Sequence, residues 1–289
     1  MNKKYLNVLF IISIFIIIFC LFNNNLKISI SVTDTSIIFI KKVFPFLFIM
    51  MILNNILLEI NFPYYINKLF KNSYIYIFIL SIISGSPINA IIIKEYLEKE
   101  FINESEASLL LTCTCFNNPL FLYNYFNLLF NDIYIISKLF FIIYLSNLFL
   151  FIPLLVQLKK NNIKIYYKKF NTINILIISI KKAINNLINI FAIIVLFKLL
   201  CDIFITNNSV ITSIIRGLIE ITQGLNSLLY LDVSIKIKEL LSIVILQFGS
   251  LSIHIQISNI LNDYNINYKY FYLSRILLIS ISIIMIIII

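Results

Sequence analysis

Long uncharged apolar runs, each about the length that crosses a bilayer, recur from one end of this chain to the other. Tyr5–Leu26, Ala107–Asn131 and Leu139–Leu158 contain no Asp, Glu, Lys or Arg, and Leu240–Asn262 has His254 as its sole titratable polar group. About twenty apolar residues are what a helix needs to cross the ~30 Å hydrocarbon core. Lipid offers the backbone no hydrogen-bond partners, so a spanning segment must satisfy its own amides, as a helix does. Composition agrees. Of 289 residues, 61% are hydrophobic and 12% charged, against about 25% charged in a typical soluble domain. Too little polar surface exists to cover a water-soluble globule. The expected fold is an all-α integral membrane protein, a polytopic helical bundle forming one membrane domain over residues 1–289.

The net charge of +10 is read in that light. Lys159, Lys160, Lys164, Lys168 and Lys169 fall in one acid-free loop between Gln157 and Asn171. Such clusters mark loops that stay on the cytoplasmic side. No nucleic-acid partner is expected. Lys3 and Lys4 precede the first run, which no small-residue cleavage site follows. It reads as a retained helix entering from the cytoplasm. Cys20, Cys113, Cys115 and Cys201 sit in apolar runs with no second pair or nearby His, so no metal is expected. Gly-rich phosphate loops, HExxH and GxSxG are absent. No catalytic residue, cofactor or enzymatic activity is expected.

Not all the runs are plain. Asn72–Ile93 is interrupted by Gly85-Ser86-Pro87, Ala107–Asn131 by Asn117-Asn118-Pro119, and Leu240–Asn262 by Gly249-Ser250. Ile203–Ile215 and Ile221–Leu231 are too short to cross alone and flank Arg216-Gly217-Leu218-Ile219-Glu220. Interrupted segments expose backbone groups that lipid cannot satisfy. They survive at membrane depth only when buried in protein or lining a cavity, and paired broken helices point to a transporter's binding site. Gly85 follows Lys41 at nearly the same interval as Gly224 follows Lys181, and each is followed by a second break, at Asn117 and Gly249. The pattern suggests an internal duplication. The chain then divides into a first span and loop (1–36), a first half (37–131), a linking span and basic loop (132–171), a second half (172–262) and a last span (263–289). Asn72–Ile93 is expected to be re-entrant, and Arg275 to snorkel from the last span to the interface.

The breaks supply the candidate substrate-binding residues. Ser84, Gly85, Ser86 and Asn89 form a prospective hairpin tip whose free N–H groups and hydroxyls would face an anion. Asn117 and Asn118 place two amides at membrane depth. Glu220, Thr222 and Gln223, beside a break at Gly224, bring an acid there, which is costly and by default functional. Glu220 either carries a proton or touches substrate, or it pairs with Arg216 four residues earlier. Gly249, Ser250, Ser252, His254 and Gln256 suggest a polar pocket wall.

These segments resemble a known family. Ser84-Gly85-Ser86-Pro87-Ile88-Asn89-Ala90, the acidic stretch Lys94 to Ala107, the Asn117-Asn118-Pro119-Leu120-Phe121 break, Glu220 to Gly224 and Gly249 to Gln256 are similar, in order and spacing, to elements of YlbJ-type sporulation integral membrane proteins. The resemblance runs from about Lys41 to Arg275. Asn89 stands where that family has a second Gly, and Gly249-Ser250 stands for its paired Gly. The resemblance implies a nucleoside-recognition gate fold like that of concentrative nucleoside transporters. It further implies transport of dipicolinic acid from mother cell toward forespore, across the outer forespore membrane of a spore-forming bacterium. The implied partners are dipicolinate and the bilayer, with a homo-oligomer left open. The alternatives are a non-transporting scaffold of a sporulation or envelope complex, and a transporter of nucleosides or another small metabolite.

Overall fold

A computed structural model describes residues 25–158 and 172–289, apart from Asn61, Lys71 and Ser73. Lys3, Lys4, Cys20, the Lys159–Lys169 loop and all but the last two residues of the Tyr5–Leu26 run lie outside the described residues. Every regular element among the described residues is helical.

The described residues begin with α1 (Asn25–Ile38), which passes through a π-helical turn, Phe39–Val43, into α2 (Phe44–Glu59). The two meet at 50°, with Pro45 in the first turn of α2. Then come α3 (Phe62–Phe70) and the broken pair α4 (Tyr74–Ser84) and α5 (Ile88–Glu98). A second broken pair follows, α6 (Glu104–Thr114) and α7 (Pro119–Phe130), and then the long α8 (Ile133–Gln157). The second part opens with the longest helix, α9 (Thr172–Phe204). It continues through the broken pairs α10 (Val210–Ile219) with α11 (Ile221–Leu229) and α12 (Ile235–Phe248) with α13 (Leu251–Ile260), and ends in α14 (Tyr268–Ile288).

Local chemistry starts these helices where they start. Asn103 and Glu106 form a reciprocal capping box on α6, and Ser209 and Thr212 do the same on α10. Asn118, with Pro119 in the first position, starts α7, while Asp132 caps α8. Such caps contribute about 1 kcal/mol each.

Among the described residues, four apolar helical stretches are long enough to cross a membrane: Ile133–Gln157, Ile173–Phe204, Ile235–Ile260 and Tyr268–Ile288. The bent pair Lys27–Lys41 with Phe44–Glu59 makes a fifth if it counts as one span. The chain is thus a helical membrane protein among its described residues. Helix α9 packs against α1 and α2, and α14 packs against α6, α8 and α12. The broken pairs fill the space between. The Ile235–Ile260 stretch is mostly buried inside the protein, whereas the other three stretches are about one third buried or less.

Three expectations are corrected here. The break expected at Gly224 is absent, because Gly224 lies within α11 and the chain breaks four residues earlier, at Glu220. A Cβ on Gly224 would stand 2.2 Å from the Cα of Gly217. These glycines let α10 and α11 touch at backbone distance, as small residues do between membrane helices. Ile203–Ile215 is not one segment, since α9 runs on to Phe204 and α10 begins at Val210. Arg275 does not snorkel. It is 1% exposed and donates from Nη1 to the Cys115 carbonyl (3.2 Å) and from Nη2 to that of Thr112 (2.6 Å). An unpaired helix end at this depth needs donors, and Arg275 supplies them to the end of α6.

Candidate functional site

The first two breaks interlock. Helix α4 ends at Ser84, and Gly85 takes a left-handed φ of 73°. The Ser86 amide donates to the Phe116 carbonyl at 2.6 Å, and the Asn118 side-chain amide donates to the Ser84 carbonyl at 3.2 Å. A Cβ on Gly85 would stand 2.5 Å from the Asn118 backbone nitrogen, so only glycine lets the two loops meet. Ser84 donates back to the Leu80 carbonyl and Ser86 to the Cys115 sulfur. Asn117 ties this assembly to the fourth break, donating to the Leu246 carbonyl at 3.0 Å.

The third break is built differently. Glu220 accepts from the Gln223 amide at 3.0 Å and from the Thr222 hydroxyl, so its carboxylate caps α11. It is 2% exposed. Arg216 does not pair with it. That guanidinium donates to the carbonyls of Ile205 (2.8 Å) and Asn207 (3.3 Å), which removes the expected Arg216–Glu220 pair. At the fourth break α12 ends at Phe248 and Gly249 adopts φ 81°. The Ser250 side chain, itself at φ 53°, then caps α13 through the Ile253 amide.

All four breaks meet at one cavity of about 190 Å³. Ser86 and Pro87 reach it from the first break, Asn117 and Asn118 from the second, Glu220 and Thr222 from the third, and Ser252 and Gln256 from the fourth. Each break is followed by a helix of nine to twelve residues that begins there: α5, α7, α11 and α13. Helix N-termini carry partial positive charge, so four such ends gather around one cavity. Three have side-chain caps, from Asn118, Glu220 and Ser250, while α5 has none. Phe46, Phe121, Tyr125 and Ile194 supply apolar and aromatic wall. Ile190 and Ile194 lie near the middle of the spanning stretch Ile173–Phe204, which places the cavity at membrane depth.

The remaining candidates stand apart from this cavity. Gly85, Gly249 and Ser250 shape the loops. Ser84 and Asn89 are fully buried beneath them, and neither amide atom of Asn89 has a partner. Gln223 lines a separate cleft with Asp34 and Lys198. His254 is packed among Phe248, Phe271 and Tyr272, with Nε2 2.8 Å from the Phe248 carbonyl.

Sequence reasoning passed over Lys198, which is 8% exposed and bonded to Asp202 at 2.9 Å. The signal was present: a Lys and an Asp four residues apart at the end of an apolar run. Tyr125 was also missed, because an aromatic in an apolar helix looks like every other one. No group of three or more His, Cys, Asp or Glu able to hold a metal occurs among the described residues. Compared with family models, curated proteins and solved structures, the chain matches none.

Proposed function

We propose that the chain is a membrane transporter for a small polar metabolite, bound where the four breaks meet. The observation that carries this reading is the convergence of four helix N-termini, with hydroxyl and amide side chains, on one cavity at membrane depth. A lipid-embedded scaffold has no use for irregular backbone around a cavity, whereas a solute site does. The order span, broken pair, broken pair, span occurs twice, as α2 to α8 (with α3 inserted) and as α9 to α14. That recurrence supports the internal duplication and the re-entrant reading of the broken pairs.

The substrate class that suits the N-termini is a carboxylate, and the uncapped α5 end at Ser86-Pro87 is where its oxygens would sit. A planar aromatic dicarboxylate such as dipicolinate, the substrate that the family resemblance implies, could stack on Phe121 or Tyr125. That assignment brings with it the outer forespore membrane as the location. One observation favours a second reading, a neutral solute such as a nucleoside: Glu220 is the only charged side chain among the described residues lining the cavity. Purified protein in liposomes decides between them. Uptake of labelled dipicolinate, not inhibited by nucleosides, supports the first. Uptake of a nucleoside, not inhibited by dipicolinate, supports the second. Binding of neither, in protein shown to be folded, defeats transport of both.

A further inference from the structure

Two further clefts flank the central cavity. The first, about 390 Å³, includes Glu95, Glu98, Lys182, Asn186 and Asn189 in its lining. It shares Ile190 and Gln256 with the central cavity. The second, about 290 Å³, is lined by Asp34, Ile37, Ile38, Lys198, Gln223 and Asn226, and it shares Ile38 with the central cavity.

A single ridge of α9 visits all three in order. Lys182 and Asn186 line the first cleft, Ile190 both it and the cavity, Ile194 the cavity, and Lys198 the second cleft. These residues are four apart, the spacing of the i±4 ridges on a helix surface. From Lys182 to Lys198 the helix rises ~24 Å, most of the thickness of the hydrocarbon core. Polar side chains therefore stand at both ends of the ridge, and two isoleucines stand beside the cavity between them. Charged and amide side chains at the ends of a membrane helix need water or partners, and the clefts supply room for water.

We infer that this ridge of α9 is one wall of an aqueous route across the protein, closed on one side of the central cavity at Ile190 and Gln256 and on the other at Ile38. The inference rests on the transport reading for its purpose. Its geometry can be tested without knowing the substrate.

The test replaces all four native cysteines by Ser and introduces single cysteines in the full chain, in oriented membrane vesicles. Asn186→Cys probes the first cleft and Lys198→Cys the second. Ile188→Cys and Leu196→Cys, at positions 60% and 50% exposed on the outside of α9, are the lipid-facing controls. The probe is a charged, membrane-impermeant methanethiosulfonate added from either face. Cysteine reacts as thiolate, which an apolar surround suppresses, so the route positions should react about tenfold or more faster than the controls. Asn186→Cys should react from one face and Lys198→Cys from the opposite one. Should Lys198→Cys lower abundance by stranding Asp202, Asn226→Cys on the same cleft takes its place. Reaction of both route positions from the same face, or at control rates, overturns the route. Opposite-face labelling without flux of any candidate solute leaves the route standing and overturns the transport reading instead.

Discussion

The two halves of the molecule break their helices by different means. In the first half, the loops at Gly85 and Asn118 are held against each other, backbone on backbone, with 2.5 Å between a would-be Cβ and the Asn118 nitrogen. In the second half, a Cβ on Gly249 would meet only His254 Nε2, at 3.9 Å. There Glu220 and Ser250 cap the helices that follow the breaks, and the close backbone contact is between helices, Gly217 on Gly224, rather than between loops. One assembly is closed by contact and tolerates no added atom. The other is held by polar side chains, and one of them, Glu220, also lines the cavity. The contrast assigns rigidity to the interlocked first and second breaks, and leaves the fourth break, at Gly249, the least crowded.

The largest effect should come from testing that contrast directly. Gly85→Ala forces a Cβ onto backbone that cannot swing aside, and it also places Ala at positive φ. Gly249→Ala meets only His254 Nε2, at an ordinary contact distance of 3.9 Å, and carries the conformational penalty of a left-handed residue, about 1–2 kcal/mol. Membrane abundance and detergent thermal stability should collapse for Gly85→Ala and fall modestly for Gly249→Ala. At position 249 space is not the obstacle. Equal losses in the two alanine variants would erase the distinction between the halves.

Next in size is Arg275→Met. It deprives the Thr112 and Cys115 carbonyls of their donor at a buried helix end, and unsatisfied buried groups cost about 1–3 kcal/mol each. The second break should loosen while α12 and α13 stay in place. Cysteine accessibility at Cys115, buried in the wild-type protein, reports this. Unchanged protection of Cys115 would show that the first half holds together without Arg275.

These cases show what could be read from the chain alone. Among the described residues, spans such as Leu139–Leu158 and three of the breaks were legible, because Gly and Pro inside an apolar run leave few alternatives. The third break was placed four residues late. Gly224 looked like punctuation, yet its role is packing against Gly217, a contact between helices that spacing does not encode. Arg275 looked like an interfacial residue because it lies near a helix end. Its partners, at Thr112 and Cys115, are more than 150 residues away in sequence. His254 attracted attention as a lone titratable group, and its aromatic surroundings come partly from α14. Residues that face the cavity through local motifs were found. Tyr125, placed at the cavity by tertiary contact, was not, and neither was Lys198 in the neighbouring cleft.

Glu220 offers a smaller change in stability but a decisive one in function. Glu220→Gln keeps the shape, and its amide oxygen can still accept from Gln223, so abundance should change little. Flux through the cavity should fall by tenfold or more, an estimate that corresponds to about 1.4 kcal/mol. Because Arg216 bonds to the Ile205 and Asn207 carbonyls rather than to Glu220, adding Arg216→Gln should not rescue anything. The two changes should add, as they do for uncoupled sites. Recovery of abundance or flux in the double variant would restore the ion pair that the geometry disallows.

The smallest expected effect concerns Glu95 in α5, outside the spanning stretches and at the polar cleft. It is 7% exposed, and its Oε2 has no partner. Burial pushes its carboxyl up from about 4.5 to about 7, against the opposing pull of Lys182 and Lys99 and with smaller upward pushes from Glu98 and Glu59. An acid whose folded pKa lies above its unfolded one binds more protons when folded. Stability is therefore greatest below about 4.5, falls as pH rises through the window to about 7, and is flat beyond it with respect to this group. Glu95→Gln removes that proton equilibrium. Its melting temperature should match or exceed that of the wild type by a few degrees at pH 8, and the gap should close toward pH 5. The comparison runs across that window in one detergent, with Glu98→Gln as the exposed control. A wild-type curve parallel to that of Glu95→Gln would mean that the Glu95 carboxylate is solvated in the cleft, and that the first half takes no part in any pH response.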